Sequence, residues 1–105
     1  MNVKKNATAP YPRAYLEAPP GTPLDLSDAA SVTFQMVHAE TGATKASGAA
    51  TVENAAAGLV SYAWQAGDTD TVGLYRAEWT VTLASGLVWK IPSAGALFVN
   101  VLPSP

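Results

Sequence analysis

The chain has no cysteine and a single histidine, His38. Without cysteine there is no disulfide framework, no thiolate zinc site and no cysteine nucleophile. One imidazole leaves little room for acid–base or metal chemistry built on histidine. Charge is scarce as well: only 13% of the residues are Asp, Glu, Lys or Arg, about half the share of an ordinary soluble domain. The formal net charge of −2 supplies no global basic field, so a nucleic-acid partner is not expected. No apolar run approaches the roughly 20 residues of a membrane-spanning helix. Lys4 and Lys5 are not followed by the apolar stretch of a secretory signal, so neither a membrane partner nor export is expected. No segment carries the 3.6-residue apolar period of an amphipathic helix.

What is present is an apolar chain of one-domain size. Its 105 residues are 49% hydrophobic, enough for a single core and too few for two. Many of the apolar residues are alanines, yet so thin a charged surface points to a face covered by another chain. The charges are unevenly placed. Residues 1–16 carry Lys4, Lys5 and Arg13 and no acid, whereas residues 17–105 carry three basic and eight acidic side chains. A basic extended arm, residues 1–12, is therefore expected ahead of an acidic body, residues 13–105. Pro10 and Pro12 disfavour a regular helix in the arm, which is either a solvated terminus or a segment that docks on an acidic neighbour.

The body reads as short strands separated by turn residues. Ala14–Leu16 forms a first strand, closed by the proline cluster 18–23, after which Leu24 and Leu26 anchor the next loop. Ser31–His38 alternates, with Val32, Phe34 and Met36 on one face. Ala43–Ala46 and Ala49–Val52 are weaker strands, since Ala and Gly fit pleated surfaces poorly. Asn54–Gly58 reads as a loop, and Leu59–Trp64 alternates with Val60, Tyr62 and Trp64 inward. The longest strand is Leu74–Leu83, with Tyr75, Ala77, Trp79, Val81 and Leu83 facing the core. Ala84–Gly86 turns into Leu87–Ile91, 92–95 breaks that strand, and Ala96–Leu102 closes the chain with Leu97, Val99 and Val101 inward.

Asp68 to Trp79 is the most specific stretch. A turn signal runs into a strand that places Tyr75 two residues after Gly73, the arrangement of a tyrosine corner. In antibody-type domains the residue two positions after that tyrosine is a cysteine; here it is Ala77. The fold expected is all-β, an immunoglobulin-like antiparallel β-sandwich of about seven strands, without a disulfide and with the extended N-terminal arm. Asp70, Gly73 and Tyr75 are its structural corner.

Candidate chemistry is sparse. His38 lies beside Glu40 with no nucleophile elbow nearby, so a surface or edge histidine is favoured over a general base. Asp68 and Asp70, alternating with Thr69 and Thr71, have the spacing of oxygen ligands for calcium, but turn capping by the same side chains is the commoner use. Trp64 and Trp79 fall on core faces. Trp89 sits on a short strand and is open to an interface role, or to a sugar-stacking platform with Tyr11 or Tyr15. Asn6-Ala7-Thr8 has the form of a glycosylation triplet, which matters only in an exported chain. No cofactor, metal or catalytic residue is expected.

Pro23-Leu24-Asp25-Leu26, Val32-Thr33-Phe34-Gln35-Met36, Ala56-Ala57-Gly58-Leu59-Val60-Ser61-Tyr62-Ala63-Trp64, and Gly67-Asp68-Thr69 with Gly73-Leu74-Tyr75-Arg76-Ala77-Glu78-Trp79 together resemble the N-terminal immunoglobulin-like domain of baseplate upper proteins of tailed bacteriophages. The resemblance spans nearly the whole chain. It implies a non-enzymatic virion component, assembled in the host cytoplasm and present in many copies, that anchors to baseplate, tail, neck or capsid subunits. Decoration of a capsid is the nearest variant, and a carbohydrate-binding adhesion module is the alternative from another class. Baseplate upper proteins continue into C-terminal segments that hold receptor-binding proteins, and this sequence stops at Pro105, so anchoring rather than bridging is expected. Lys4, Lys5, Tyr11, Arg13 and Trp89 are the expected partner-binding residues.

Overall fold

Two long strands set the frame. Ala29–His38 (β5) and Gly73–Leu83 (β9) carry apolar side chains at every second position, which fits a sheet with one buried face. They pair antiparallel along their length, from Ala29 opposite Leu83 to His38 opposite Tyr75. Val32, Phe34 and Met36 of β5 and Tyr75, Ala77, Trp79 and Val81 of β9 are buried together. The structure is a computed structural model in which residues 1–18, 22–91 and 97–103 are described.

The remaining strands add to this pair or face it. In chain order they are β1 (Asn2–Lys4), β2 (Arg13–Tyr15), β3 (Glu17–Ala18), β4 (Thr22–Pro23), β6 (Thr44–Ala49), β7 (Thr51–Asn54), β8 (Leu59–Ser61), β10 (Val88–Ile91) and β11 (Leu97–Leu102). The larger sheet runs β1-β11-β9-β5-β6, with β10 also on β9, and a three-stranded sheet runs β2-β8-β7. β3 and β4 form a small ladder of their own. β10 and β11 occupy successive parts of one edge of β9: β10 pairs with Trp79–Thr82 and β11 with Gly73–Ala77. The fold is thus all-β and sandwich-like, with no helix among the described residues.

Eleven strand segments are present among the described residues. The excess over the expected seven or so comes from very short pieces, namely β1, β3 and β4. The proline cluster at 19–21 and the break at 92–95, with Ala96, lie outside the described residues.

The core is aromatic at its centre. The Phe34 ring stacks on Tyr62 at 4.7 Å and meets Trp79 at 4.9 Å and Trp64 at 6.1 Å edge-on, joining β5 and β9 to the chain leaving β8. Each such ring contributes roughly 1.5–3 kcal/mol through burial. Trp79 Nε1 has no acceptor, so that ring is held by packing, against a cost of about 1–3 kcal/mol for the unmet donor. Room for the Tyr62 ring comes from Gly48 on β6, where a Cβ would stand 3.1 Å from Tyr62 Cε1.

The N-terminal segment is part of this architecture. Residues 1–12 hold no helix and turn at Lys5–Asn6, where Asn6 sits at φ 65°, and they lie along the sandwich instead of projecting from it. β1 pairs in parallel with β11, Asn2 opposite Asn100 and Lys4 opposite Leu102, and Val3 is buried in the core. Asn6 N–H donates to Thr69 O at 2.9 Å and Trp64 Nε1–H to Pro10 O at 2.8 Å. Val3 and Pro12 are buried and Ala7 packs against the core, contacts that a charge count overlooks.

Two substitutions test this frame by urea denaturation. Val3→Ala should lower stability by about 2 kcal/mol through the cavity it leaves; an unchanged midpoint would show that β1 does not contribute to the fold. Gly58 sits at φ +73°, and a Cβ there would meet Leu16 O at 2.6 Å and Leu24 O at 2.7 Å. Gly58→Ala should therefore cost about 2 kcal/mol or more, and a neutral result would refute the close approach.

Candidate interaction surface

The turn from Gln65 to Thr71 is built from its own side chains. Tyr62 Oη donates to Asp68 Oδ2 at 2.7 Å, and the same oxygen accepts the Gln65 N–H at 2.9 Å. Asp68 is thereby buried with its carboxylate turned into the domain. Asp70 faces the other way, where Lys45 Nζ and Thr71 Oγ1 donate to its Oδ1. The Lys45 ammonium, with Thr71, holds the Asp70 carboxyl below its ordinary range. The two aspartates thus point to separate partners, and no cluster of three or more metal-ligating side chains occurs among the described residues. Tyr75 Oη donates to Thr71 O at 2.8 Å, tying the start of β9 to the turn before it. His38 lies edge-on to Tyr75 at 5.5 Å, and its Nδ1 accepts the Glu40 N–H at 3.2 Å. That nitrogen is occupied by a local turn bond.

The expected partner-binding residues fall on different surfaces. Lys4 and Lys5 are exposed at the Gly73 end of β9, beside Leu102. Arg13 lies on the outer face of the three-stranded sheet, where its Nε donates to Glu53 Oε2 at 3.1 Å. This pair raises the Arg13 pKa and lowers that of Glu53. It spans from β2 to β7 across Ser61 of β8, which explains why Ser61 is buried although its neighbour Val60 occupies the inner face. Tyr11 and Tyr15 flank Arg13 with 46% and 65% of their surface exposed. Trp89 is on neither surface. It is opposite Val81 on the inward side and packs, half-buried, against the core, because the alternation of β10 turns Val88 and Lys90 outward instead.

A further apolar surface lies on the outer face of the larger sheet. Leu74 and Phe98 are 46% and 47% exposed, on strands whose intervening residues Tyr75, Val99 and Val101 fill the core. Phe98 stands opposite Arg76 on β9, and Val37 of β5 stands opposite Arg76 on its other side. Phe98 and Val37 thus flank one guanidinium, and Leu74 lies one pair further along, opposite Asn100. A signal for this surface exists in the sequence: Leu97-Phe98-Val99 is apolar on both faces, so if Leu97 and Val99 point inward Phe98 must point out.

No family model, no curated protein and no solved structure matches the chain.

The buried Tyr62 phenol gives a pH test. Burial, followed by its hydrogen bond to Asp68, raises its pKa above the ordinary value of 10.0. The unfolded chain therefore loses this proton at lower pH than the folded one, and above pH 10 stability falls with rising pH. Urea midpoints measured from pH 8 to 11 should drop more steeply in the parent chain than in Tyr62→Phe; parallel curves would exclude Tyr62 as the responsible group.

Proposed function

We propose that this chain is an immunoglobulin-like, non-enzymatic structural protein of a tailed-bacteriophage virion, anchored to a larger particle assembly at the baseplate or tail, the neck or the capsid surface. The observation that carries this reading is the exposure of Leu74 and Phe98 on one sheet face, a surface suited to another protein. The sheet order and the bond from Tyr75 to Thr71 fit an immunoglobulin-like sandwich. The stretches resembling baseplate upper proteins hold the core and the corner, so they speak for an anchor domain and leave its contact surface to be found elsewhere. That surface is the outer face of the larger sheet. An anchor made from residues 1–12 would first have to give up β1 and the burial of Val3.

Capsid decoration belongs to the same class and uses the same face. The adhesion reading finds support in the exposed Tyr11 and Tyr15 beside Arg13, since exposed rings stack on sugars; Trp89 has no part in it.

The test is incorporation into particles. Leu74→Asp with Phe98→Asp should keep the circular dichroism spectrum of the parent and reduce copies per purified particle by roughly tenfold or more, the effect of about 1.4 kcal/mol at each interface. Normal incorporation would overturn the assignment of this face. Retention of the parent domain on a polysaccharide resin, lost in Tyr15→Ala, would establish adhesion in its place.

A further inference from the structure

The charges that lack an ionic partner separate along the molecule. Three ion pairs cancel locally: Arg13 with Glu53, Lys45 with Asp70 and Lys90 with Glu78. Among the described residues the side-chain cations left over are Lys4, Lys5 and Arg76, and the N-terminal ammonium donates to Phe98 O at 2.7 Å. All three side chains are exposed, and they sit towards the Gly73 end of β9, Lys4 opposite Leu102 and Arg76 opposite Phe98. Glu17, Asp25 and Asp28 are also exposed and form no ion pair, and they sit towards the Leu83 end. The Asp28 carbonyl accepts the Ala84 N–H there at 2.9 Å, and Leu26 and Leu16 bond to Ala55 and Gly58 beside it. Glu40, in the turn between β5 and β6, is the one exposed unpaired acid at the basic end.

Each end also exposes apolar surface. Leu74 and Phe98 adjoin Arg76, while Leu87 and Val88, 65% and 52% exposed, adjoin Asp28 through the hairpin after β9. One chain thus carries two surfaces of opposite sign, each with large apolar side chains beside the charges.

We infer that these two surfaces bind each other between copies of this chain, so that the domains associate head to tail. Contact of either surface with itself would set Arg76 and Lys4, or Asp28 and Glu17, against like charges, which disfavours a two-fold dimer. A heterologous contact leaves one surface of each sign open at the ends of every oligomer, and growth proceeds to rows or closes into a ring. A contact made by these few charged and apolar side chains is small, in the range of weak, transient association. Such a contact is concentration-dependent and salt-sensitive in solution. It uses Leu74 and Phe98 as the virion reading does, and Asp28→Lys, which leaves both in place, tells the two apart: self-association falls while incorporation into particles stays at the parent level.

Sedimentation velocity on the purified chain tests this, from about 10 μM to 1 mM in low and high salt, a range chosen to bracket weak association. The weight-average sedimentation coefficient should rise with concentration in low salt and fall back in high salt. Arg76→Glu and Asp28→Lys, each folded by circular dichroism, should both weaken association by tenfold or more. Mixed together they should recover association, because the intact acidic surface of the first meets the intact basic surface of the second and the two reversed side chains attract each other at the other contact. A monomer at every concentration in low salt would overturn the inference. So would loss of association in Arg76→Glu with none in Asp28→Lys, since the basic surface would then have another occupant.

Discussion

The hydrogen bond from Tyr62 Oη to Asp68 links parts of the chain that packing alone would leave separate. Tyr62 is a core ring, stacked on Phe34 and seated over Gly48, so the larger sheet sets its position while the chain leaving β8 carries it. Its hydroxyl reaches the one buried carboxylate among the described residues, and that carboxylate also holds the Gln65 N–H. With Asp68 fixed, Thr69 next to it is fixed too, and Thr69 carries the bonds that bring in the N-terminal segment through Asn6 and Ala7. Two residues further on, Thr71 accepts the Tyr75 hydroxyl at the head of the longest strand. A buried charge-assisted bond is worth more than a neutral one in this setting, and its loss would leave a carboxylate without water. Core, turn, N-terminal strand and corner are therefore parts of one polar network rooted in an aromatic cluster.

That network separates the residues that hold the fold from those that face outward. The residues with the most distinctive sequence pattern, Tyr62, Trp64, Asp68, Tyr75 and Trp79, are all buried. Exposed apolar side chains lie on the outer face of the larger sheet, on the hairpin after β9 and, as Tyr15 and Val52, on the three-stranded sheet. A sandwich of this kind hosts unrelated functions on its surfaces, and here the surface chemistry is apolar side chains beside a few charges of one sign at each end.

Much of the fold was legible because period-two alternation is unambiguous over long runs. β5 and β9 emerged with nearly their observed limits, and Val60, Tyr62, Trp64, Val99 and Val101 were placed on the correct face. β1 was not legible. Asn-Val-Lys offers one apolar residue in three, and its partner strand lies almost a whole chain length away, beyond any local pattern. Charge counting marked Lys4 and Lys5 as an arm because it weighs exposed residues and is blind to Val3. Trp89 sits on an edge strand of four residues, too short an alternation to fix its facing from sequence, whereas its pairing opposite Val81 does. Leu74 and Phe98 were hidden by the attention that their inward neighbours attract.

The parallel pairing of β1 with β11 has a mechanical consequence. Asn2 and Leu102 lie at opposite ends of the paired run, with Asn2 beside Asn100 and Lys4 beside Leu102. Tension drawn between residues 2 and 102 would therefore slide the two strands along each other, loading the bonds of Met1, Asn100 and Lys5 together. Bonds loaded in shear share the force, whereas bonds peeled from one end fail in turn. A three-residue strand so placed resists pulling along the molecule far more than its length suggests.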